Sequence, residues 1–242
     1  VLWSQDFSIR HYELDHRGAL SMPHLCRIFQ EAAGLHAERL GFATEQLEPL
    51  GLAWVLAKFQ VKLSEEAHLP RWRQTARVET WRAGIERIFA LRDYRMLDGN
   101  GKVIAVATSY WSLIDVARRK PASFPAFVVE SYPADAPRAL KTSYEKLPPV
   151  ERIDYESSHI VRPSDLDANN HVNNVSYLGW ALDTIPQTVA FECTPTEIEL
   201  IFRAEALLGD TVVCGTQQLD SPGEPGFVDS IKRASDGRER TQ

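Results

Sequence analysis

The chain has 242 residues, of which 44% are hydrophobic and 25% are charged, and its formal net charge is −6. This composition is typical of a soluble globular protein, and we expect no membrane insertion because no apolar run approaches the ~18 residues that span a bilayer. The negative charge argues against general nucleic-acid binding, and three scattered cysteines without CxxC spacing predict neither disulfides nor a zinc site.

Hydrophobic periodicity predicts one long helix followed by four strands in the first 115 residues. The helix, 22–40, carries an apolar stripe, with Ser21 as its N-cap and Gly41 just past its end. Alternation of apolar and polar residues in 53–63 is typical of a half-buried strand. Further strands are predicted at 75–84, 86–97 and 102–115, with a DGNG turn at 98–101. We expect the four strands to form an antiparallel meander.

The second half of the chain repeats this order after a proline-rich stretch. Residues 116–150 hold six of the fourteen prolines, which predicts an extended connection. A strand at 155–163, a helix at 173–183 and strands near 196–204, 211–219 and 226–235 follow. We therefore predict modules at 1–128 and 151–242, joined by 129–150. The last strand is expected to be truncated, leaving its partner edge open or marking an early end of the chain.

Two sequence matches suggest that the halves are related. Arg10-x-x-Glu13-Leu14-Asp15 corresponds to Arg162-x-x-Asp165-Leu166-Asp167, 152 residues later. A weaker match places Glu66-Ala67-x-Leu69-Pro70 over Glu205-Ala206-x-Leu208-Gly209, 139 residues later. A long helix cradled by a bent antiparallel sheet, made twice, is a double hotdog. One larger α+β sheet is the alternative.

Polar residues are concentrated immediately before the second helix, in 161–183. Two carboxylates, four amides and one histidine fall within ten positions. Asp and Asn are common in turns and N-caps, and we expect Asn173 or Asn174 to cap the helix. A turn does not require His171, which would lie near free helix N–H groups that can stabilise an oxyanion. Metal binding through Asp165 and Asp167 is disfavoured because no further ligand has matching spacing.

The stretch DLDANNHVNNVSYLGW closely resembles the signature of the plant and bacterial acyl-acyl-carrier-protein thioesterases of fatty-acid synthesis. The segments LCRIFQEAAGLHAERLGF, LAWVLAKFQVKL and RRKPASFP are also similar to that family. The resemblance implies an α+β fold of two tandem hotdog modules, no metal and no other cofactor. It implies one site, in the second module, with these catalytic residues: Asp167, Asn169, His171 and Glu205. Ala206 follows Glu205, where many plant relatives carry a cysteine, so covalent cysteine catalysis there is excluded.

The resemblance further implies hydrolysis of fatty acyl thioesters, with acyl carrier protein and its 4'-phosphopantetheine-linked acyl chain as the partner. For the acyl chain we expect contacts from Leu25, Phe29, Ala32 and Asn173. For the acidic carrier we expect a basic docking face at Arg118, Arg119 and Lys120. The first half is expected to be inactive because it has Arg17 and Ala19 in place of Asn169 and His171, although it keeps Asp15 and Glu66.

Three further expectations follow. In the absence of a visible signal segment, we expect a cytosolic protein, or a plastid one if a transit peptide was removed; a homodimer is left open. Cys193 and Cys214 are expected to be small buried residues. Two alternatives remain. An acyl-coenzyme A thioesterase would be distinguished by comparing the two carriers on one acyl chain. A non-catalytic acyl-binding hotdog protein would bind the acyl group without releasing free acid.

Overall fold

The computed structural model describes residues 2–142, 144–220, 223 and 225–242. The chain forms two compact units: unit 1 comprises Val1–Tyr144 and Thr196–Glu199, and unit 2 comprises Glu145–Pro195 and Leu200–Gln242. None of the helices in the described part combines the length and apolar character needed to cross a bilayer.

The long helix of unit 1 begins and ends where the sequence predicts. It spans Met22–Leu40 (α1), and its N-cap is Ser21, whose side chain accepts the backbone N–H of His24 at 3.4 Å. Gly41 ends it with φ of 77°, a left-handed conformation that glycine adopts without steric cost. The other elements of unit 1 are β1 (Trp3–Ser8), α2 (Thr44–Leu47), β2 (Leu52–Leu63), β3 (Thr75–Glu86), β4 (Phe89–Leu97), β5 (Val103–Asp115), β6 (Lys120–Ala122) and α3 (Ala126–Ser131).

The antiparallel sheet of unit 1 has the order β1-β3-β4-β5-β2, so the expected four-stranded meander is wrong. Only β3, β4 and β5 follow one another as neighbours, and β2 pairs on the far side of β5. The reason is the connection: two residues join β3 to β4, whereas 64–74 separate β2 from β3. The sheet packs on α1 through Phe29, whose ring lies 6.4 Å from that of Phe59 and 5.1 Å from that of Tyr94.

Part of the predicted connection is folded onto the sheet of unit 1. Helix α3 crosses the predicted boundary at residue 128. Arg138 forms an ion pair of 3.0 Å with the buried carboxylate of Asp93, and the indole N–H of Trp81 donates to the carbonyl of Pro137 at 2.7 Å. These contacts order the proline-rich stretch well past residue 129.

Unit 2 is a smaller version of the same arrangement. Its elements are β7 (Tyr155–Ile160), α4 (Asn174–Thr184), α5 (Gln187–Glu192), the end of β8 (Glu197–Ile201), β9 (Thr211–Leu219), β10 (Gly226–Arg233) and β11 (Glu239–Thr241). The antiparallel sheet has the order β11-β10-β9-β7, and Tyr177 and Trp180 of α4 join Val212 and Ile231 in the core.

The chain end is paired, so of the two alternatives given for the last strand the open edge is wrong. Ile201 and Gln242 exchange two backbone hydrogen bonds, of 2.8 and 3.1 Å, and Arg203 N–H donates to the carbonyl of Arg240 at 2.8 Å. Residues 201–203 therefore occupy the outer side of β11.

Candidate active site

His171 lies in a tight loop between a 3₁₀ turn at Pro163–Asp165 and helix α4. Asp167 closes this loop through backbone and side chain. Its N–H donates to the carbonyl of His171 at 2.8 Å, and its Oδ1 accepts the backbone N–H groups of Asn169 and His171 at 2.8 and 3.4 Å. Asn170 has φ of 59°, a left-handed conformation that asparagine tolerates. Asp167 thus holds the loop that carries the histidine.

Asn173 is the N-cap of α4, as predicted, but that role limits what else it can do. Its Oδ1 accepts the N–H of Val175 at 2.9 Å, and its own N–H donates to the carbonyl of Asp165 at 2.8 Å. The helix end is therefore partly saturated by its own cap. The expectation that the first-turn N–H groups near His171 are free is wrong for Val175, and no contact shown by the structure supports Asn173 as a substrate ligand.

Glu205 lies in the loop after β8, not on the strand itself as predicted. Strand β8 ends at Ile201 because the following residues turn to pair with the chain end. The fully buried Ala206 then anchors the loop: its N–H donates to the hydroxyl of Tyr177 at 2.9 Å, and its carbonyl accepts the N–H of Val172 at 3.4 Å. Both anchors belong to the segment that contains His171.

These anchors bring His171 and Glu205 together. The imidazole Nε2 lies 3.1 Å from the carboxylate Oε2, and the side chains are 45% and 36% exposed. An imidazole in contact with a carboxylate is a combination suited to general acid–base catalysis, and partial exposure lets water and a substrate reach it. The Asn169 side chain is exposed and makes no hydrogen bond within the described part of the chain, so its amide N–H groups are free to donate.

Tyr177 is a residue that supports the candidate site and that periodicity did not identify as such. The sequence places it on the apolar face of the helix, and it is indeed buried. Burial raises the pKa of its phenol to about 12, so the hydroxyl stays protonated while it accepts from Ala206. A hydroxyl-bearing aromatic on a core-facing helix position was the only available signal.

Apart from Asn173, the expected acyl and carrier contacts lie in unit 1. Leu25, Phe29 and Ala32 are fully buried in its core. Arg118, Arg119 and Lys120 are exposed where the chain turns from β5 into β6, and the Arg118 side chain is 81% exposed despite a 3.7 Å ion pair with Asp115. Their roles stay predictions.

The cysteines differ from one another more than expected. Cys214 is buried and burial raises its pKa to about 11, but Cys193 is exposed after α5, so the expectation of a buried residue there is wrong. Cys26 is buried, with its pKa raised to about 12 for the same reason. The described residues contain no cluster of three potential metal ligands.

Unit 1 contains the same loop with different side chains. Asp15 Oδ1 accepts the N–H groups of Arg17 and Ala19 at 2.9 and 3.1 Å, and Asp15 N–H donates to the carbonyl of Ala19 at 2.7 Å. Each bond has its counterpart 152 residues later. The loop is duplicated, but Ala19 stands where unit 2 has His171.

The residue equivalent to Glu205 is Leu69, so the proposed equivalence with Glu66 is wrong. Leu20 N–H donates to the carbonyl of Pro70, just as Val172 N–H donates to that of Ala206. The offset between these acceptors is 136 residues, and the bonds from Ile9 to Gln74 and from Val161 to Asp210 repeat it. Glu66 is 86% exposed and pairs with Lys102 at 3.2 Å. Unit 1 therefore lacks both members of the pair.

Comparison with known proteins identifies the family of this chain. A family model described as the acyl-ACP thioesterase N-terminal domain matches residues 1–132, and one described as the acyl-ACP thioesterase C-terminal domain matches residues 151–241. The chloroplastic oleoyl-acyl carrier protein thioesterase of Coriandrum sativum is 28% identical over 87% of this chain and 61% of its own length. Oleoyl-acyl carrier protein thioesterase 1 of Arabidopsis thaliana is 27% identical over 98% of this chain and 73% of its own length.

The chain thus spans roughly two thirds of the length of these two relatives. Among solved structures, an acyl-ACP thioesterase from Bacteroides thetaiotaomicron superposes with a TM-score of 0.86 at 25% identity, covering 99% of this chain and 95% of that one. The predicted α+β class with tandem hotdog modules is confirmed. The chain belongs to the acyl-ACP thioesterase family.

Proposed function

We propose that this protein hydrolyses fatty acyl-acyl-carrier-protein thioesters to free fatty acid and holo-carrier protein, and so ends acyl-chain elongation. The observation that carries the proposal is the 3.1 Å contact between His171 and Glu205 in unit 2 of a member of this family. The names of the relatives, which are thioesterases of acyl carrier protein, support the choice of substrate.

In the proposed reaction, the His171–Glu205 pair takes a proton from a water molecule. The water oxygen attacks the thioester carbonyl carbon, and the amide of Asn169 donates to the oxyanion that forms. Collapse of this intermediate breaks the carbon–sulfur bond, and the phosphopantetheine thiolate leaves and regains a proton. Asp167 acts as a positioning residue, because its carboxylate oxygen holds the backbone N–H groups of Asn169 and His171.

Direct attack by Glu205 on the thioester is the alternative chemistry. It would form a mixed anhydride between the enzyme and the acyl group, with release of the thiol before water enters. The contact with His171 favours the water mechanism, because it gives the abstracted proton a second acceptor next to the carboxylate. Quenching a single turnover with hydroxylamine separates the two: a hydroxamate at Glu205 would establish the anhydride, and its absence during measurable turnover supports general-base catalysis.

The carrier specificity belongs to the proposal as well. An acidic carrier would be attracted by the exposed basic turn of Arg118, Arg119 and Lys120, an effect that weakens as salt is raised. The test compares one acyl chain on acyl carrier protein and on coenzyme A, with analysis of the released acid. We expect kcat/KM to be at least about tenfold higher for the carrier-bound chain, a difference of about 1.4 kcal/mol. Equal rates would favour an acyl-coenzyme A thioesterase, and binding without acid release would favour a non-catalytic acyl-binding protein.

We further propose a cytosolic or stromal location, and the chloroplastic names of the relatives support the stromal choice.

We also propose that the acyl chain lies in a tunnel along α1. Leu25, Phe29 and Ala32 are fully buried, so an acyl chain that reaches them must displace part of the core. Replacing Ala32 with leucine should then shorten the released acids. An unchanged product profile would remove α1 from the acyl site.

A further inference from the structure

Two arginines face each other in the interior of unit 1. Arg82 on β3 and Arg92 on β4 are direct partners in the antiparallel register, so their side chains leave the same face of the sheet. They are only 6% and 4% exposed. We call these two residues the arginine pair. A guanidinium stays protonated in proteins, so the pair places two positive charges in the interior.

The side chains in direct contact with the arginine pair are neutral. Arg92 Nη1 donates to Nδ1 of His36 at 2.7 Å and to the hydroxyl of Thr80 at 3.3 Å. Burial, followed by the charge of Arg92, lowers the pKa of His36 to about 3, so its ring is an uncharged acceptor. Arg82 lies 5.8 Å from the ring centroid of Tyr132, and burial raises the pKa of that phenol. Within the described part of the chain, neither arginine has a carboxylate partner.

This arrangement is unfavourable as it stands. Like charges directly opposite each other on neighbouring strands repel, and a buried charge without a counterion is strongly destabilising. The Arg82 Nε is buried and has no hydrogen-bond partner. Arg95 of the same sheet shows the usual solution, since it is ion-paired with Glu79 and 42% exposed. No carboxylate in contact with the arginine pair, within the described residues, balances its two positive charges.

We propose that the arginine pair is an oxyanion-binding site, separate from His171 and Glu205, that takes a carboxylate or a phosphate. Arg82, but not Arg92, lines a cavity of about 550 Å³, so open space adjoins one member of the pair. The other walls of this cavity are mainly apolar and include Leu2 and Val106, and the lining also contains the charged residues Arg95, Asp135 and Arg138. Such a lining can hold a hydrocarbon chain, so the oxyanion is either a small free ion or the carboxylate of a long-chain acid.

The test is direct binding to the full chain in anion-poor buffer, which does not depend on the proposed hydrolysis. The probes are inorganic phosphate, acetate, dodecanoate and, as the uncharged control, dodecanol, followed by calorimetry and by thermal unfolding. We expect an oxyanion to bind and dodecanol not to. Dodecanoate binding more tightly than acetate identifies a long-chain acid, and phosphate or acetate binding as tightly as dodecanoate identifies a small ion.

Substitution locates the site. Arg82→Met should weaken oxyanion binding at least about tenfold, because it removes a charged donor, and Arg92→Met provides a second variant should the first fail to fold. Arg77→Met is the matched control, because Arg77 lies on the same strand as Arg82, pairs with Asp6 at 2.7 Å and does not line the cavity, and we expect it to change binding less than twofold. Without oxyanion, Arg82→Met should also raise the unfolding temperature, because it removes one of two repelling charges. The proposal is overturned if no oxyanion binds, or if binding is unchanged in both Arg82→Met and Arg92→Met.

Discussion

The loops at 10–21 and 162–173 have the same backbone and different chemistry. In both, the side chain of an aspartate at the same position accepts two backbone N–H groups, and the aspartate's own N–H donates to one backbone carbonyl. In both, a serine or asparagine then caps the following helix. Only the second loop has an imidazole at the position of His171, where the first loop has Ala19, and there the neighbouring segment supplies the carboxylate of Glu205.

The comparison separates structural from chemical roles within one chain. Asp15 performs its hydrogen bonding in a unit that has Ala19 and Leu69 in place of His171 and Glu205. The contacts of Asp167 are therefore those of a loop-forming residue, which positions the chemistry without needing to take part in it. His171 and Glu205 have no counterpart of the same chemistry in unit 1, and this difference supports the proposal that they carry out the reaction.

The largest expected effect is on turnover by Glu205→Gln. This change keeps the shape and removes the basic oxygen, so we expect kcat to fall about 10²- to 10⁴-fold. Glu66→Gln is the matched control, because Glu66 is exposed and not equivalent to Glu205. It should change kcat less than threefold. A loss below threefold in Glu205→Gln, measured by release of free acid, would reject both base and nucleophile roles.

Next in size is His171→Ala, for which we expect about a 10²-fold fall in kcat with little change in unfolding temperature, since the ring is nearly half exposed. The reciprocal change, Ala19→His, introduces an imidazole at the equivalent position of unit 1, where Leu69 takes the place of the carboxylate. It should leave turnover within twofold of wild type. A gain of activity from Ala19→His would show that unit 1 can hydrolyse the thioester without a carboxylate at position 69.

A third prediction concerns the stability of unit 2 and its dependence on pH. Burial raises the pKa of Asp229 in unit 2 from 3.8 to about 6, and the Thr216 hydroxyl donates to it. A raised carboxyl pKa favours the folded state at low pH, and this contribution is fully present below pH 3.8 and lost as pH rises through 6. Asp229→Asn should therefore stabilise unit 2 by about 2 to 3 kcal/mol at pH 8 and hardly at all at pH 4.

Urea unfolding at the two pH values checks this prediction. The asparagine oxygen still accepts from Thr216, so a loss of hydrogen bonding does not obscure the sign. A variant less stable than wild type at pH 8 would contradict the buried, proton-binding description of Asp229.

The smallest expected effect tests the shared aspartates. Asp15→Ala and Asp167→Ala each remove one oxygen that accepts two backbone N–H groups, so each should cost about 1 to 3 kcal/mol in the stability of its own unit. Only Asp167→Ala should also lower turnover. Equal losses of turnover in the two variants, at temperatures where both remain folded, would undo the assignment of the reaction to unit 2.

Local patterns predicted the two long helices and most strand positions, because caps and periodicity act over a few residues, but they did not predict the short helices α2, α3 and α5. Ser21, Gly41 and Asn173 were identified in this way and have the predicted roles. The pairing of β2 with β5 was not predictable from neighbouring strands, since it depends on contacts between distant segments. Glu205 was placed on a strand because its segment is strand-like, whereas pairing of 201–203 with the chain end takes it off the strand.

The second sequence match between the two halves was wrong for a related reason. Glu66-Ala67-x-Leu69-Pro70 resembles Glu205-Ala206-x-Leu208-Gly209 by letters, but backbone hydrogen bonds, not residue identity, define equivalent positions. Those bonds move the match by three residues and place Leu69 opposite Glu205. The site itself was predictable only through the family signature, because the anchoring of Ala206 by Tyr177 has no pattern in the sequence.

The central claim is that the imidazole of His171 and the carboxylate of Glu205 act together in one proton-transfer step. A double-mutant cycle of kcat for Glu205→Gln, His171→Ala and the combined variant measures this coupling. If the two groups share one proton-transfer step, the combined variant should be no more than about threefold slower than the slower single variant. Losses that multiply in full would mean that the two side chains act independently, and the central claim would be wrong.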